Sequence, residues 1–148
     1  MLDLTTPIIP YKGTGIFELN ADYDEIKSRL AAHDISYEES TMPATDIDPP
    51  WTIIDVGGNF ELFFAKNRLF KIILKGNFAG SLPNGINLDT TIDDAEEIDP
   101  TLEFDDWEEI YESANGYWLE DDLETRKLRW ITIFIPALER DDFFKYDW

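Results

Sequence analysis

The chain has 148 residues, 32 Asp and Glu against 12 Lys and Arg, a formal net charge of -20 and no cysteine. Its length is common for one domain and sufficient to bury roughly 68–70% of the unfolded surface. A 43% hydrophobic and 14% aromatic composition excludes a disordered chain despite the charge. The absence of cysteine excludes disulfides and thiolate metal sites and fits a reducing compartment.

The N-terminal MLDLTTPIIPYKG has no basic n-region, and Pro7 and Pro10 break its apolar stretch, so no signal peptide is expected. No apolar run approaches the ~18 residues of a membrane span, and the expected location is the cytoplasm. Gly15 to Ile26 reads as a short strand running into a helix, with Asp22 as N-cap and Asp24 and Glu25 in the first turn. Apolar Ile26, Leu30 and Ala31 at helical spacing predict a one-faced helix from Asp24 to His33. Residues 38–50, EESTMPATDIDPP, are rich in turn formers and read as irregular. Trp51 to Val56 is a strand, and Asn59 to Phe64 and Leu69 to Leu74 form a hairpin across AKNR, giving a three-stranded meander.

A similar order follows. Gly85 to Ala95 reads as a second strand into a helix, capped by Thr91 and extending over Ile92 to Ile98 until Asp99-Pro100 stops it. In Phe104 to Tyr111, apolar Phe104, Trp107, Ile110 and Tyr111 fit a helix, whereas analogy with Trp51 to Val56 asks for a strand; both stay open. Tyr117 to Glu120 and Lys127 to Ile135 are strands joined by an acidic turn. Leu19, Tyr23, Asp24 and Glu25 match Leu88, Ile92, Asp93 and Asp94, and Leu69 and Ile72 match Leu128 and Ile131. The expectation is an α+β fold in which two similar helix-plus-antiparallel-strand units, 13–76 and 77–137, form one compact domain spanning 1–148, with an aromatic tail at 138–148. The alternative stays open that two unrelated α+β segments share these element types.

The charge is not spread evenly. Gly76 to Thr125 holds 16 of the 32 acids and no Lys or Arg, a local field suited to something positive. Such a field excludes phosphate-driven nucleic-acid binding, which needs a basic stripe. Paired carboxylates for hydrolysis need contrasting environments, and Asp105, Asp106, Glu108 and Glu109 in a solvated run offer none. The lone His33 falls at a helix C-terminus, where it favours the dipole. No G-x-S-x-G, Walker loop or G-x-G-x-x-G occurs, and Gly13-Thr-Gly15 is too short to count. Oxygen ligands alternate at Asp46-Ile-Asp48 and Glu120-Asp-Asp122-Leu-Glu124, without the glycine and distal Glu of a calcium loop. No enzymatic activity, cofactor or metal is expected. Aromatics among acids match the way a protein partner is gripped, by buried anchors and steering charges.

Gly85, Ile86 and Leu88 ahead of Asp93 and Asp94, then Gly116, Tyr117 and Trp118, and a final strand carrying Ile131, Ile133 and Ile135 give a chain that resembles bacterial immunity proteins of the contact-dependent growth inhibition and polymorphic-toxin type. The tandem layout is also similar to that of the β-lactamase inhibitor proteins, which differ in being secreted and disulfide-bonded. The resemblance implies a cognate toxin as partner, a cationic nuclease whose cleft an acidic surface fills. The partner-binding residues expected are Asp93, Asp94, Glu96, Glu97, Glu103, Asp105, Asp106, Glu108, Glu109, Glu120, Asp121 and Asp122, with Trp107 and Trp118 as anchors if exposed. An acidic adaptor using its aromatic tail, or a DNA-mimic inhibitor, are the alternative readings. Nothing decides between monomer and homodimer.

Overall fold

The computed structural model describes residues 2–43 and 50–139. The first strands, β1 (Ile8–Ile9), β2 (Gly13–Thr14) and β3 (Phe17–Glu18), form a small antiparallel sheet of their own. Helix α1 (Tyr23–Ala32) follows, then β4 (Glu38–Met42), β5 (Trp51–Val56), β6 (Phe60–Ala65) and β7 (Arg68–Leu74). Helix α2 (Ile92–Ile98) leads into β8 (Glu103–Asp105), β9 (Ile110–Glu112), β10 (Tyr117–Asp121) and β11 (Leu128–Phe134), and a short 3-10 turn spans Pro136–Glu139. Among the described residues, β4 to β11 make one antiparallel sheet in the order β4-β5-β6-β7-β11-β10-β9-β8. The molecule is therefore mostly sheet, with a helix before each run of four strands.

Period-two alternation sorts the strand residues onto two faces. Cross-strand partners line up Ile54, Leu62, Ile72, Ile133 and Tyr117 in one row, and Val56, Phe60, Leu74, Ile131 and Leu119 in the next. All ten are buried and share one core with Ile26 and Leu30 of α1 and with Ile92 and Ala95 of α2. The opposite face carries the row Glu38, Asp55, Glu61, Ile73, Thr132, Trp118, Glu112, Glu103, running across all eight strands.

Both helices start against a hairpin turn. Tyr23 N–H donates to Asn67 O (2.9 Å) and Ile92 N–H to Arg126 O (2.8 Å), while Leu69 N–H reaches Ala21 O (2.9 Å) and Leu128 N–H reaches Thr90 O (3.0 Å). Backbone carbonyls thereby satisfy donors that a helix start leaves orphaned. Thr91 also caps α2 as expected, its hydroxyl accepting from Asp94 N–H at 3.2 Å. The Asp22 side chain makes no cap hydrogen bond, a departure from expectation.

Other expectations are also revised. Residues 38–42 form a strand although every side chain is exposed, so the first half has four sheet strands rather than three. Phe104 to Tyr111 is neither one helix nor one strand: β8 and β9 pair as a hairpin, Phe104 facing Tyr111. Residues 85–88 make turns instead of a strand, held by Ile86 O accepting from Leu82 N–H. The Asp46-Ile-Asp48 run and most of the 138–148 tail lie outside the described residues. No helix among the described residues is long and apolar enough to cross a membrane.

Lys71 interrupts the apolar alternation of β7. Its ammonium lies 4.1 Å from the centre of the Phe63 ring and 5.5 Å from that of Trp51. Burial pushes its pKa down to about 8, against the pull of Glu61 and Glu108. A base lowered in the folded state costs stability below its folded pKa and releases that cost as pH rises from about 8 toward the ordinary 10.5. Lys71→Met is expected to stabilise the fold at pH 7 by roughly 1–2 kcal/mol once the lost ring contacts are subtracted. In urea melts the gain should shrink as pH rises above about 8; a variant less stable than the parent at pH 7 would contradict it.

Candidate functional site

The acids of the second half are brought together by the register of β9, β10 and β11. Trp118 faces Glu112 and Leu119 faces Tyr111, so Ile110 lies level with Glu120. The β8–β9 turn and the β10–β11 turn therefore leave the sheet at the same end. The start of α2 lies there too, since Thr91 bridges Lys127. This end gathers Asp93, Asp94, Asp105, Asp106, Glu108, Glu109, Glu120, Asp121, Asp122 and Glu124. Glu96 and Glu97 are exposed on α2, and Glu103 is exposed on the edge strand β8.

The two turns have the same construction. In the first, the Asp105 carboxylate accepts from Trp107 N–H (2.9 Å) and Glu108 N–H (3.2 Å), Glu109 N–H donates to Asp105 O (2.8 Å), and Glu109 has φ 58°. In the second, the Asp122 carboxylate accepts from Glu124 N–H (2.9 Å) and Thr125 N–H (3.1 Å), Arg126 N–H donates to Asp122 O (2.7 Å), and Arg126 has φ 62°. Backbone donation by Thr125 and Glu124 lowers the Asp122 pKa below its ordinary value. Each closed turn displays one large apolar side chain: Trp107 is 90% exposed and Leu123 83%.

Few cations offset the acids. Arg126 holds the buried Asp121 at 3.1 Å and reaches Asp93 at 3.9 Å, and Arg129 holds Glu120 at 3.3 Å. No Lys or Arg among the described residues is within 4.0 Å of the carboxylates of Asp94, Glu96, Glu97, Glu103, Asp105, Asp106, Glu108, Glu109 or Asp122. The first half differs, because Lys75 bridges Asp55 (3.3 Å) and Glu61 (3.6 Å) at its end of the cross-sheet row.

At the other end of that row Glu103 and Glu112 face each other directly, a pairing of like charges that costs stability. They line a hollow of about 530 Å³ together with Trp118, Leu138 and Glu139. Trp118 is half-buried there, its ring 4.4 Å from that of Phe134, so it forms a wall of the hollow and does not project as Trp107 does. Burial, then Asp105, Glu139, Glu103 and Glu108, raise the Glu112 pKa. A carboxyl raised in the fold contributes stability that is present below its unfolded pKa and lost as pH rises through the folded value. Glu112→Gln is expected to stabilise the fold slightly at pH 7, by roughly a few tenths of a kcal/mol after solvent screening. Melts at pH 7 and pH 3.5 check it, since a gain that persists at pH 3.5 would not come from this charge.

The hairpin that carries Trp107 is fixed at its base by a buried carboxylate, Asp99, which in the sequence reads only as a helix stop. Asp99, 2% exposed, accepts from Thr101 N–H (3.0 Å) and the Thr101 hydroxyl (2.6 Å) on one oxygen. On the other it accepts from the Ser113 hydroxyl, the Tyr117 hydroxyl and Asn115 Nδ2. Asn84 Nδ2 in turn donates to the Tyr117 hydroxyl at 3.0 Å. Burial pushes the Asp99 pKa up, but donors from Ser113, Thr101, Tyr117 and Asn115 outweigh it and hold the pKa well below the carboxylate range. Burial and the bond to Asp99 push Tyr117 up to about 12. An ionised acid with this many donors and a phenol that keeps its proton are matched to each other, so the cluster ties α2 to the 113–117 turn. Gly116, at φ 90°, completes that turn; a Cβ there would lie 2.5 Å from the Tyr11 ring.

Among the described residues no group of three or more His, Cys, Asp or Glu is arranged to hold a metal ion. Compared with family models, with curated proteins and with solved structures, the chain finds no match.

Proposed function

We propose that this protein is a cytoplasmic immunity-type inhibitor that binds a cationic bacterial toxin, a nuclease by preference, through the acidic end of its sheet. The observation that carries this reading is the pairing of unneutralised acids with an almost fully exposed tryptophan on a closed hairpin. Complementary fields raise association rates far above the neutral ~10⁵–10⁶ M⁻¹s⁻¹, an advantage when a toxin must be caught before it meets its substrate. Buried aromatic side chains then supply residence time. The test is growth of a bacterial host expressing the C-terminal domain of a secreted protein encoded directly upstream, with and without this chain. Rescue together with a purified complex supports the reading. A toxic domain that this chain neither rescues nor binds counts against it.

We also infer that residues 13–76 and 77–137 descend from one duplicated unit. Each half gives a helix followed by a four-stranded meander, and the paired contacts of Tyr23 and Ile92, and of Leu69 and Leu128, fall on residues that also match in sequence. A chain in which a second copy of 77–137 replaces 13–76 is the check. Cooperative folding with β-rich circular dichroism supports duplication, and a chain that never folds argues against interchangeable halves.

A further inference from the structure

We propose that the β8–β9 and β10–β11 turns act together as a two-pronged plug, with Trp107 and Leu123 entering two apolar pockets about 10 Å apart on a basic partner surface. This rests on the reading above and deepens it by naming the contact. The spacing follows from the sheet: the two hairpins are neighbours, so their midlines lie two strand separations apart.

Three observations support a plug over a diffuse acidic patch. First, Trp107 and Leu123, 90% and 83% exposed, are the most exposed large hydrophobic side chains among the described residues and sit on adjacent tips, where burying each would be favourable. Second, both turns are held in one shape by the same set of bonds, an aspartate carboxylate on two N–H groups and a closing backbone bond. Little ordering entropy then remains to be lost on binding, the usual reason that rigid loops bind well. Third, the exposed acids around the prongs, Asp106, Glu108, Glu109 and Glu124, outnumber the cations Arg126 and Lys127 at the base of the second turn, so the complementary partner surface has a cationic rim. Exposed Met42 lies at the far edge of the sheet, outside this arrangement.

The division of labour is specific. The acids govern encounter, and the prongs govern escape. Dissociation is measured by surface plasmon resonance with the same upstream-encoded toxin domain as probe, for the parent chain and for Trp107→Ala, Trp107→Phe, Leu123→Ala and Met42→Ala. Trp107→Ala is expected to speed dissociation about 30-fold and Leu123→Ala about 5-fold, with association changed less than about twofold. Trp107→Phe should recover much of the loss, and Met42→Ala should behave as the parent. Thermal melts should be within about 2 °C of the parent, because neither prong packs in the core.

If the parent binds and both prong variants dissociate at its rate, the plug is overturned while the inhibitor reading stands. An equal effect from Met42→Ala also overturns it. If the parent does not bind the toxin domain, the inhibitor reading fails and the plug with it.

Discussion

Reversing Glu96, Glu97, Asp106 and Glu109 to lysine is expected to slow capture of the cationic partner about 100-fold at 20 mM salt and only a fewfold at 500 mM. These four are exposed and have no ion pair among the described residues. None of them closes a turn through its side chain, unlike Asp105 and Asp122. Glu96 and Glu97 belong to the last turn of α2, which has no basic residue and where the helix dipole favours lysine. The fold should therefore tolerate the reversal. Stopped-flow association rates at several salt concentrations are the measurement. A salt dependence unchanged from the parent would remove charge steering from the account.

Asp99→Ala is expected to lose about 3 kcal/mol of stability, near 10 °C in melting temperature for a chain of this size. The loss is large because the buried hydroxyls of Ser113 and Tyr117 lose their acceptor, together with the more exposed donors of Thr101 and Asn115, and unsatisfied buried groups cost more than the net value of the bonds. Its pH dependence is the opposite of that of Glu112. Because the folded pKa is depressed, the contribution of Asp99 is full above its unfolded pKa near 3.8 and fades as pH falls toward the folded value. Parent and variant should therefore converge in acid. Asp99→Asn keeps the shape but brings donors to a site already crowded with them, and it should recover little. Equal stability of parent and Asp99→Ala at pH 7 would mean that the α2 to 113–117 connection is held by packing alone.

The elements legible in the sequence are those whose side chains report on the core. Ile26 and Leu30 are buried on α1, and alternating Leu62, Ile72, Ile131 and Ile133 mark the inner strands. Strand β4 was unreadable because all five side chains, EESTM, are exposed; its place comes from backbone pairing with β5. The β8–β9 hairpin misled for a related reason. Trp107 completes a helical apolar pattern with Phe104, Ile110 and Tyr111, yet it packs on nothing, and the turn is made by the Asp105 carboxylate. The acidic run was legible as a charge count, but its gathering at one end depends on the β9–β10 register. Asp99 was missed because its partners lie up to 18 residues away and none is unusual by itself. Leu123 reads as a single apolar residue in an acidic turn, and only its 83% exposure beside Trp107 gives it meaning.

A hydrogen-exchange footprint of the complex tests whether the partner sits on the acidic end of the sheet. Binding of the toxin domain should slow exchange in residues 103–112 and 120–127 and in the first turn of α2, while α1 and β4 exchange as in the free chain. Protection confined to α1, β4 and β5, with the two acidic hairpins unchanged, would contradict the account.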